Sequence, residues 1–230
     1  VFNDARWGAA LALALVCATP LVLSTPAHAE TTPLRYRSRG AAVTDLQKAL
    51  RERGFLWSKP TGVYDSRTRF AVWAFQKSRG MRPQTLVGPA TLRALSRPSK
   101  RPPLPKSLRT GAVIDLRRQL LTVYRDHRKV MTVHVSTGAH SRYCHSGRCA
   151  IAITPVGDFR ITKRTPGWTT GPLGSMYNSL YFVGGVAIHG SSQVPRRPAS
   201  HGCVRVPLRA ADRLFELLDV GDPVHVRRST

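Results

Sequence analysis

Apolar positions recur at helical spacing through the first third of the chain. In "VTDLQKALRERG", Val43, Leu46 and Leu50 fall on one stripe, and Gly54 is placed to end the helix. "DSRTRFAVWAFQKSRG" predicts a second helix with Asp65 or Ser66 as N-cap, Ala71, Ala74 and Phe75 inward, Arg67 and Lys77 toward water, and Gly80 as the stop. A third, short helix opens at Pro89, whose missing N–H is tolerated in a first turn, and carries Leu92 and Leu95.

Beyond residue 108 the period shortens to two. "AVIDL", "QLLTVY" and "KVMTVHVSTG", separated by the polar "RRQ" and "RDHR", predict a meander of hairpins. "TPVGDFRI" and "YFVGGVAIHG" add β-rich segments punctuated by glycine. One helix, "LRAADRLFELLDV" after Pro207, sets Leu214, Phe215 and Leu218 on one side and closes at Gly221, and "PVHVRR" reads as a last strand. The expected fold class is multidomain: a small all-α three-helix module over residues 34–95, then a mainly-β domain with one helix over 108–228. Between them "SRPSKRPPLPKS", residues 96–107, is rich in proline and basic residues and predicts a semi-rigid extended linker.

Residues 1–29 read as a secretory signal peptide: a polar start with Arg6, an apolar run from Ala9 to Leu23, and Ala27-His28-Ala29 as the cleavage site. The alternative is an uncleaved membrane anchor, against which the shortness of the run and Pro20 both count. The expected location is therefore extracytoplasmic. Lys and Arg number 36 against 12 Asp and Glu, a net charge of +24 that attracts polyanions such as anionic wall polymers or acidic headgroups. Export, and basic residues without interleaved aromatics, argue against nucleic acid; a generally solvated basic surface is the plainer reading.

An oxidising compartment changes how the four cysteines are read. Cys17 leaves with the leader. Cys144 and Cys149, in "RYCHSGRCA", are close enough to bridge across a loop tip, which is worth about 2 kcal/mol on the chain-entropy account. A metal site built from His134, His140, Cys144, His145 and Cys149 is the competing reading, but their spacing fits neither a finger nor H-E-x-x-H. No metal or cofactor is expected, and His127 and His225 read as structural or solvated.

Cys203 remains unpaired, in "PASHGCVRVP". A cysteine attacks as thiolate, and an imidazole nearby can take its proton. His201 is two residues away, while His189 closes the run "VGGVAIHG", where a strand end can aim it into a cleft. His189 is favoured as base, with His201 supporting, and Gly202 allows backbone N–H groups to approach an oxyanion. The rival is a buried structural cysteine.

Two resemblances follow from these stretches. Val43, Leu46, Gln47, Leu50 and Gly54, then Gly62, Tyr64, Thr68, Ala71, Val72, Phe75 and Gln76, then Val87, Gly88, Thr91 and Leu95 resemble the pattern of peptidoglycan-binding modules. Two short echoes inside it, Leu46-Gln47-Lys48 and Phe75-Gln76-Lys77, suggest a degenerate repeat. "IHG" and "SHGCVRV", with "TPVGDF" at 154–159, are similar to the motifs of the L,D-transpeptidases with the YkuD-type β fold. The His-to-Cys spacing of 14 is short, and Arg205 stands where some members have Asn. The resemblance implies Cys203 as nucleophile, His189 as proton acceptor and donor oriented by a backbone carbonyl, and Ser200, His201, Gly202 and Arg205 as the rest of the motif. Gly190, Arg196 and Arg197 are expected near substrate, the two arginines from their charge. The implied reaction joins peptidoglycan stem peptides by 3→3 cross-links with release of D-Ala, and implies inhibition by carbapenem β-lactams. An L,D-carboxypeptidase using the same site is the near alternative, and a non-catalytic basic wall-binding protein the distant one. The small module is expected to tether the enzyme to glycan, and its deletion to leave turnover of soluble stems nearly intact.

Overall fold

The computed structural model describes residues 33–98 and 109–228; the expected signal peptide and most of the linker lie outside them. Three helices form first: α1 (Ala41–Glu52), α2 (Ser66–Ser78) and α3 (Pro89–Ser96). Val43, Leu46 and Leu50 point inward from α1, onto a core that includes Tyr64, Val72 and Phe75. Asp65 is the N-cap of α2, its carboxylate accepting from the Thr68 N–H at 3.0 Å. Gly80, at φ +70°, takes the left-handed turn that ends the segment.

The two short sequence echoes have a shared physical role. Gln47 Oε1 accepts from the Thr61 and Gly62 N–H groups, at 2.8 and 3.0 Å, while its Nε2 donates to Thr68 Oγ1 at 2.8 Å. Gln76 does the same one repeat later: Oε1 accepts from Gln84 N–H at 2.7 Å, and Nε2 donates to Thr91 Oγ1 at 3.1 Å. Each buried amide thus satisfies loop backbone and ties it to the threonine in the next helix.

The lysines that follow these glutamines differ. Lys48 is in water, but Lys77, expected there too, is only 7 % exposed. The reason is that this face of α2 rests on the β domain rather than on solvent.

That domain contains β1 (Gly111–Asp115), β2 (Leu120–Arg125), β3 (Arg128–His134), β4 (Arg142–His145), β5 (Arg148–Ile151) and β6 (Gly157–Arg160). Then follow β7 (Lys163–Gly171), β8 (Gly174–Val183), β9 (Val186–Ser191), β10 (Val204–Pro207), α4 (Leu208–Leu217) and β11 (Pro223–Arg227). One sheet runs β3-β2-β1-β11-β6, the second β10-β9-β8-β7, and β4 and β5 form a separate hairpin. The meander is as expected; Asp126 and His127, both at positive φ, make the two-residue turn between β2 and β3. β11 returns beside β1 in parallel, and β9 and β10 are also parallel. Ile114, Leu121 and Val224 of the first sheet, Leu180, Ile188 and Val206 of the second, and Leu214 of α4 share one core.

The β7–β8 hairpin is not visible in the hydrophobic pattern. Pro166 and Gly167 interrupt β7 with a bulge between Thr165 and Trp168, and Asn178 Oδ1 accepts from the Gly167 N–H at 2.8 Å to hold it. On α4, Leu214 and Leu218 are buried as expected, whereas Phe215 is half-buried under the Arg164 guanidinium, 4.2 Å from its ring centroid.

The helical module is packed on the β domain. Leu120 of β2 enters the helical core, Trp57 packs against the β core, and the Thr132 N–H donates to Gly54 O at 2.8 Å.

Candidate active site

His189 and Cys203 arrive on neighbouring strands. His189 lies in β9, in register with Arg205 of the parallel β10, and Cys203 immediately precedes β10. Both line one cleft of about 790 Å³. Tyr143 and Arg148 of the β4–β5 hairpin and Trp168 and Met176 of the β7–β8 hairpin line it as well.

The His189 imidazole is 4 % exposed, and its Nδ1–H donates to the carbonyl of Gly190 at 3.0 Å. That bond fixes the tautomer, so the Nε2 lone pair is the basic one. Burial holds the pKa of His189 below the ordinary value, the Gly190 carbonyl works against this, and the Arg205 charge adds to the lowering. The imidazole is thus kept neutral and able to accept a proton.

Cys203 is the one free cysteine among the described residues, and its thiol is directed to Gly185 O, 3.7 Å from Sγ. Burial raises its pKa, opposed by a backbone hydrogen bond from Ala187 and by Arg205. Arg205 therefore acts on both groups in a useful sense: it favours the thiolate and disfavours the imidazolium.

The chain around Cys203 is pinned by short hydrogen bonds. Ser200 Oγ donates to Cys203 O at 2.5 Å and accepts from the Gly202 N–H at 3.1 Å. Thr154 Oγ1 donates to Gly202 O at 2.6 Å and accepts from the Gly138 N–H at 3.0 Å. Gly202 has φ +146°, and a Cβ there would meet Ile153 O at 3.0 Å, so the position demands glycine. His201 is exposed and lies against Tyr143, with ring centroids 4.7 Å apart.

Several expected residues have other duties here. Ser200 lines the cleft but is buried, and its hydroxyl staples the turn. Gly202's own N–H donates to Ser200 Oγ. Gly190 faces α4: a Cβ would lie 2.9 Å from Ala211 Cβ and 3.0 Å from Tyr177 Cδ1, so it is needed for close packing, and only its carbonyl serves the site. Arg196 and Arg197 do not line the cleft. Arg196 Nη1 donates to Pro83 O in the helical module at 2.7 Å, and the guanidinium lies over Trp73. Both arginines instead border a basic groove with Arg117 and Arg118.

Cys144 and Cys149 face each other directly in β4 and β5 and are joined by a disulfide. Thr154 was readable as part of a motif, but not as the residue that holds Gly202. Gly138 gave no signal, though a Cβ there would be 2.5 Å from Ala152 O.

Comparison with known proteins accords with this geometry. Residues 109–226 match the model of the YkuD L,D-transpeptidase catalytic domain, and residues 39–95 that of a peptidoglycan binding domain. The crystal structure of an L,D-transpeptidase from Xylanimonas cellulosilytica aligns at 38 % identity with TM-score 0.78, over 85 % of this chain and 97 % of that one. An L,D-transpeptidase from Stackebrandtia nassauensis aligns over the same shares at 23 % identity and TM-score 0.48. One from Mycobacterium smegmatis aligns at 20 % and 0.44, over 52 % of this chain and 58 % of its own. No curated protein sequence matches. On the catalytic-domain match and the first of these alignments, the chain belongs to the YkuD family of L,D-transpeptidases, with a peptidoglycan binding domain preceding the catalytic one.

Proposed function

We propose that this L,D-transpeptidase forms 3→3 peptidoglycan cross-links through a thioester on Cys203. The observation that carries the reading is that a part-exposed thiol and a buried histidine, its Nδ1–H spent on Gly190 O, line one cleft. His189 Nε2 takes the thiol proton, and Sγ attacks the carbonyl of the third stem residue. The C–S bond forms, the amide C–N bond breaks, and the same proton leaves with D-Ala. A side-chain amine of a second stem then attacks the thioester, His189 accepts its proton, and the thiol is restored. In this reading His201, exposed in the cleft beside Tyr143, donates to the oxyanion. Water in place of the amine gives the carboxypeptidase outcome.

Action at the cell wall follows from the two domains; export by the leader is part of the proposal. So is a contact with anionic wall polymers, supported by the groove at Arg117, Arg118, Arg196 and Arg197, which no acidic residue lines. Mass spectrometry of the protein with a disaccharide-tetrapeptide ending in D-Ala tests the reaction, with Cys203→Ala as control. Cys203-dependent dimers lacking one D-Ala support it. Tripeptide monomers alone point to hydrolysis, and products that persist in Cys203→Ala overturn the assigned nucleophile.

A further inference from the structure

The segment between β9 and β10 joins the two reactive residues. It is short, and its Ser192 and Gln193 line the cleft beside His189. From one side the β domain holds it: Ser136 Oγ donates to Arg197 O at 2.8 Å, and the Ala199 N–H donates to Thr137 O at 2.9 Å. From the other side it is held by the helical module.

Two connections make that second hold. In the first, Lys77 of α2 donates to His134 Nδ1 at 2.8 Å. The Val194 carbonyl can only accept, so the His134 proton is on Nε2, which donates to Val194 O at 3.2 Å and leaves Nδ1 to accept from Lys77. His134 is 1 % exposed, and α2 encloses its ring: Phe70 stacks on it at 5.9 Å and Trp73 meets it edge-on at 5.3 Å. The imidazole therefore has one orientation available, set by the module. In the second connection, Arg196 reaches back to Pro83 O and lies over Trp73. Val194 is the next residue after the cleft-lining Gln193, so the module's hold stops one peptide short of the cleft wall.

We infer that the peptidoglycan-binding module is a working part of the active site: Lys77, His134 and Arg196 are positioning residues that fix the loop between His189 and Cys203. The role rests on the proposed function of Cys203. It extends the module's duty from anchoring the enzyme to shaping its catalytic loop, and it contradicts the expectation that turnover of soluble stems is independent of the module. Lys77 is an unusual residue to bury for packing alone, since a buried ammonium is costly unless its hydrogen bonds are needed. Here it makes two, to His134 and to Gln119 O. Its pKa is lowered to about 7 by burial and by the Arg196 charge, and in either protonation state it retains N–H donors for His134.

The test uses the full chain with Lys77→Met, Arg196→Ala and Arg196→Lys, each checked for folding by circular dichroism. The second-order rate of Cys203 acylation by a carbapenem and hydrogen exchange at residues 192–199 are measured together. Lys77→Met and Arg196→Ala should slow acylation roughly tenfold to hundredfold, the scale of a small misplacement of reacting groups, and should speed exchange in the loop. Arg196→Lys, which keeps a donor for Pro83 O, should recover part of both. Arg196 is exposed, so its variants test the idea even if Lys77→Met fails to fold. Unchanged acylation and exchange overturn the inference. A rise in donor KM with carbapenem acylation and exchange unchanged also overturns it, since that is the mark of a substrate contact. If wild type itself is not acylated at Cys203, the functional reading fails and exchange alone decides: faster exchange in the variants keeps the positioning role, and unchanged exchange removes it.

Discussion

His189 and Arg205 stand opposite each other in register on two parallel strands, one residue type suited to accept a proton and the other permanently charged. The arginine lowers the proton affinity of both His189 and Cys203. Arg205→Gln should therefore let both pKa values rise. For a base that must be neutral to act, a higher pKa moves the acidic limb of the rate profile toward higher pH. The ratio of acylation rates at pH 6 and pH 8 should fall in the variant; an unchanged ratio would show that Arg205 has no electrostatic role.

Thr154 offers a test of how stiff the cysteine turn must be. Thr154→Val keeps the shape but removes the hydroxyl between the Gly138 N–H and Gly202 O, both backbone groups of buried segments. Leaving the donor unmatched should cost about 1–3 kcal/mol of stability. Acylation of Cys203 should slow as well, because Gly202 is its neighbour. Urea midpoints and acylation rates measure the two effects separately, and a loss of stability with full acylation would mark Thr154 as structural only.

What could be read from the chain depended on whether a residue's duty is local. The three helices and the meander were legible because their apolar periods are regular and their caps, Asp65, Gly80 and Pro89, act within a turn. The Ser-His-Gly-Cys motif was legible by resemblance, and its cysteine and the distant histidine do share a cleft. The β7–β8 hairpin was not, because Pro166, Gly167 and the glycines at its tip look like a loop until Asn178 is seen to hold the bulge. Lys77 and Arg196 misled for a different reason. A charged residue on a helix or loop reads as solvent-facing or ligand-facing, and only tertiary packing shows that both meet at the domain junction.

The buried amide of Gln47 is open to a direct stability test. Gln47→Leu would fill similar space but leave the part-buried Thr61 and Gly62 N–H groups without their acceptor, while the Thr68 hydroxyl keeps its bond to Asp65 Oδ1. Destabilisation of about 1–3 kcal/mol should follow, from part-buried N–H groups losing their acceptor. Thermal or urea unfolding checks this, and a change below about 0.5 kcal/mol, typical of exposed sites, would mean that water replaces the amide.

Lys77 gives the stability curve a distinct pH signature. Its folded pKa of about 7 lies below the unfolded lysine value of about 10.4. Between these values the unfolded chain binds the extra proton, so folding becomes more favourable as pH rises from 7 toward 10, by a few kcal/mol in all. Below about pH 7 the lysine is charged in both states and the penalty is constant. Urea midpoints at pH 7, 8 and 9 should therefore rise in the wild type relative to Lys77→Met, in which the titrating group is gone. Parallel profiles would show that Lys77 keeps an ordinary proton affinity in the folded protein.

The disulfide hairpin yields the last prediction, because its two strands carry cleft wall and cross-link together. Cys144 and Cys149 are paired across β4 and β5, and Tyr143, next in sequence to Cys144, lies against His201. The hairpin forms a sheet of its own, and a two-stranded ribbon alone is marginal in water. Cross-linking so short a loop contributes about 2 kcal/mol through the unfolded segment, on the scale needed to keep such a ribbon formed. Replacing both cysteines by serine should therefore free the hairpin while the rest of the domain, whose core lies between the two larger sheets, stays folded. Tyr143 would leave His201 and the cleft would lose one wall, so KM for a tetrapeptide donor should rise severalfold. Acylation by a small β-lactam, which needs Cys203 and His189 more than the wall, should change less. Equal losses with both substrates would place the hairpin's effect on the reacting groups themselves.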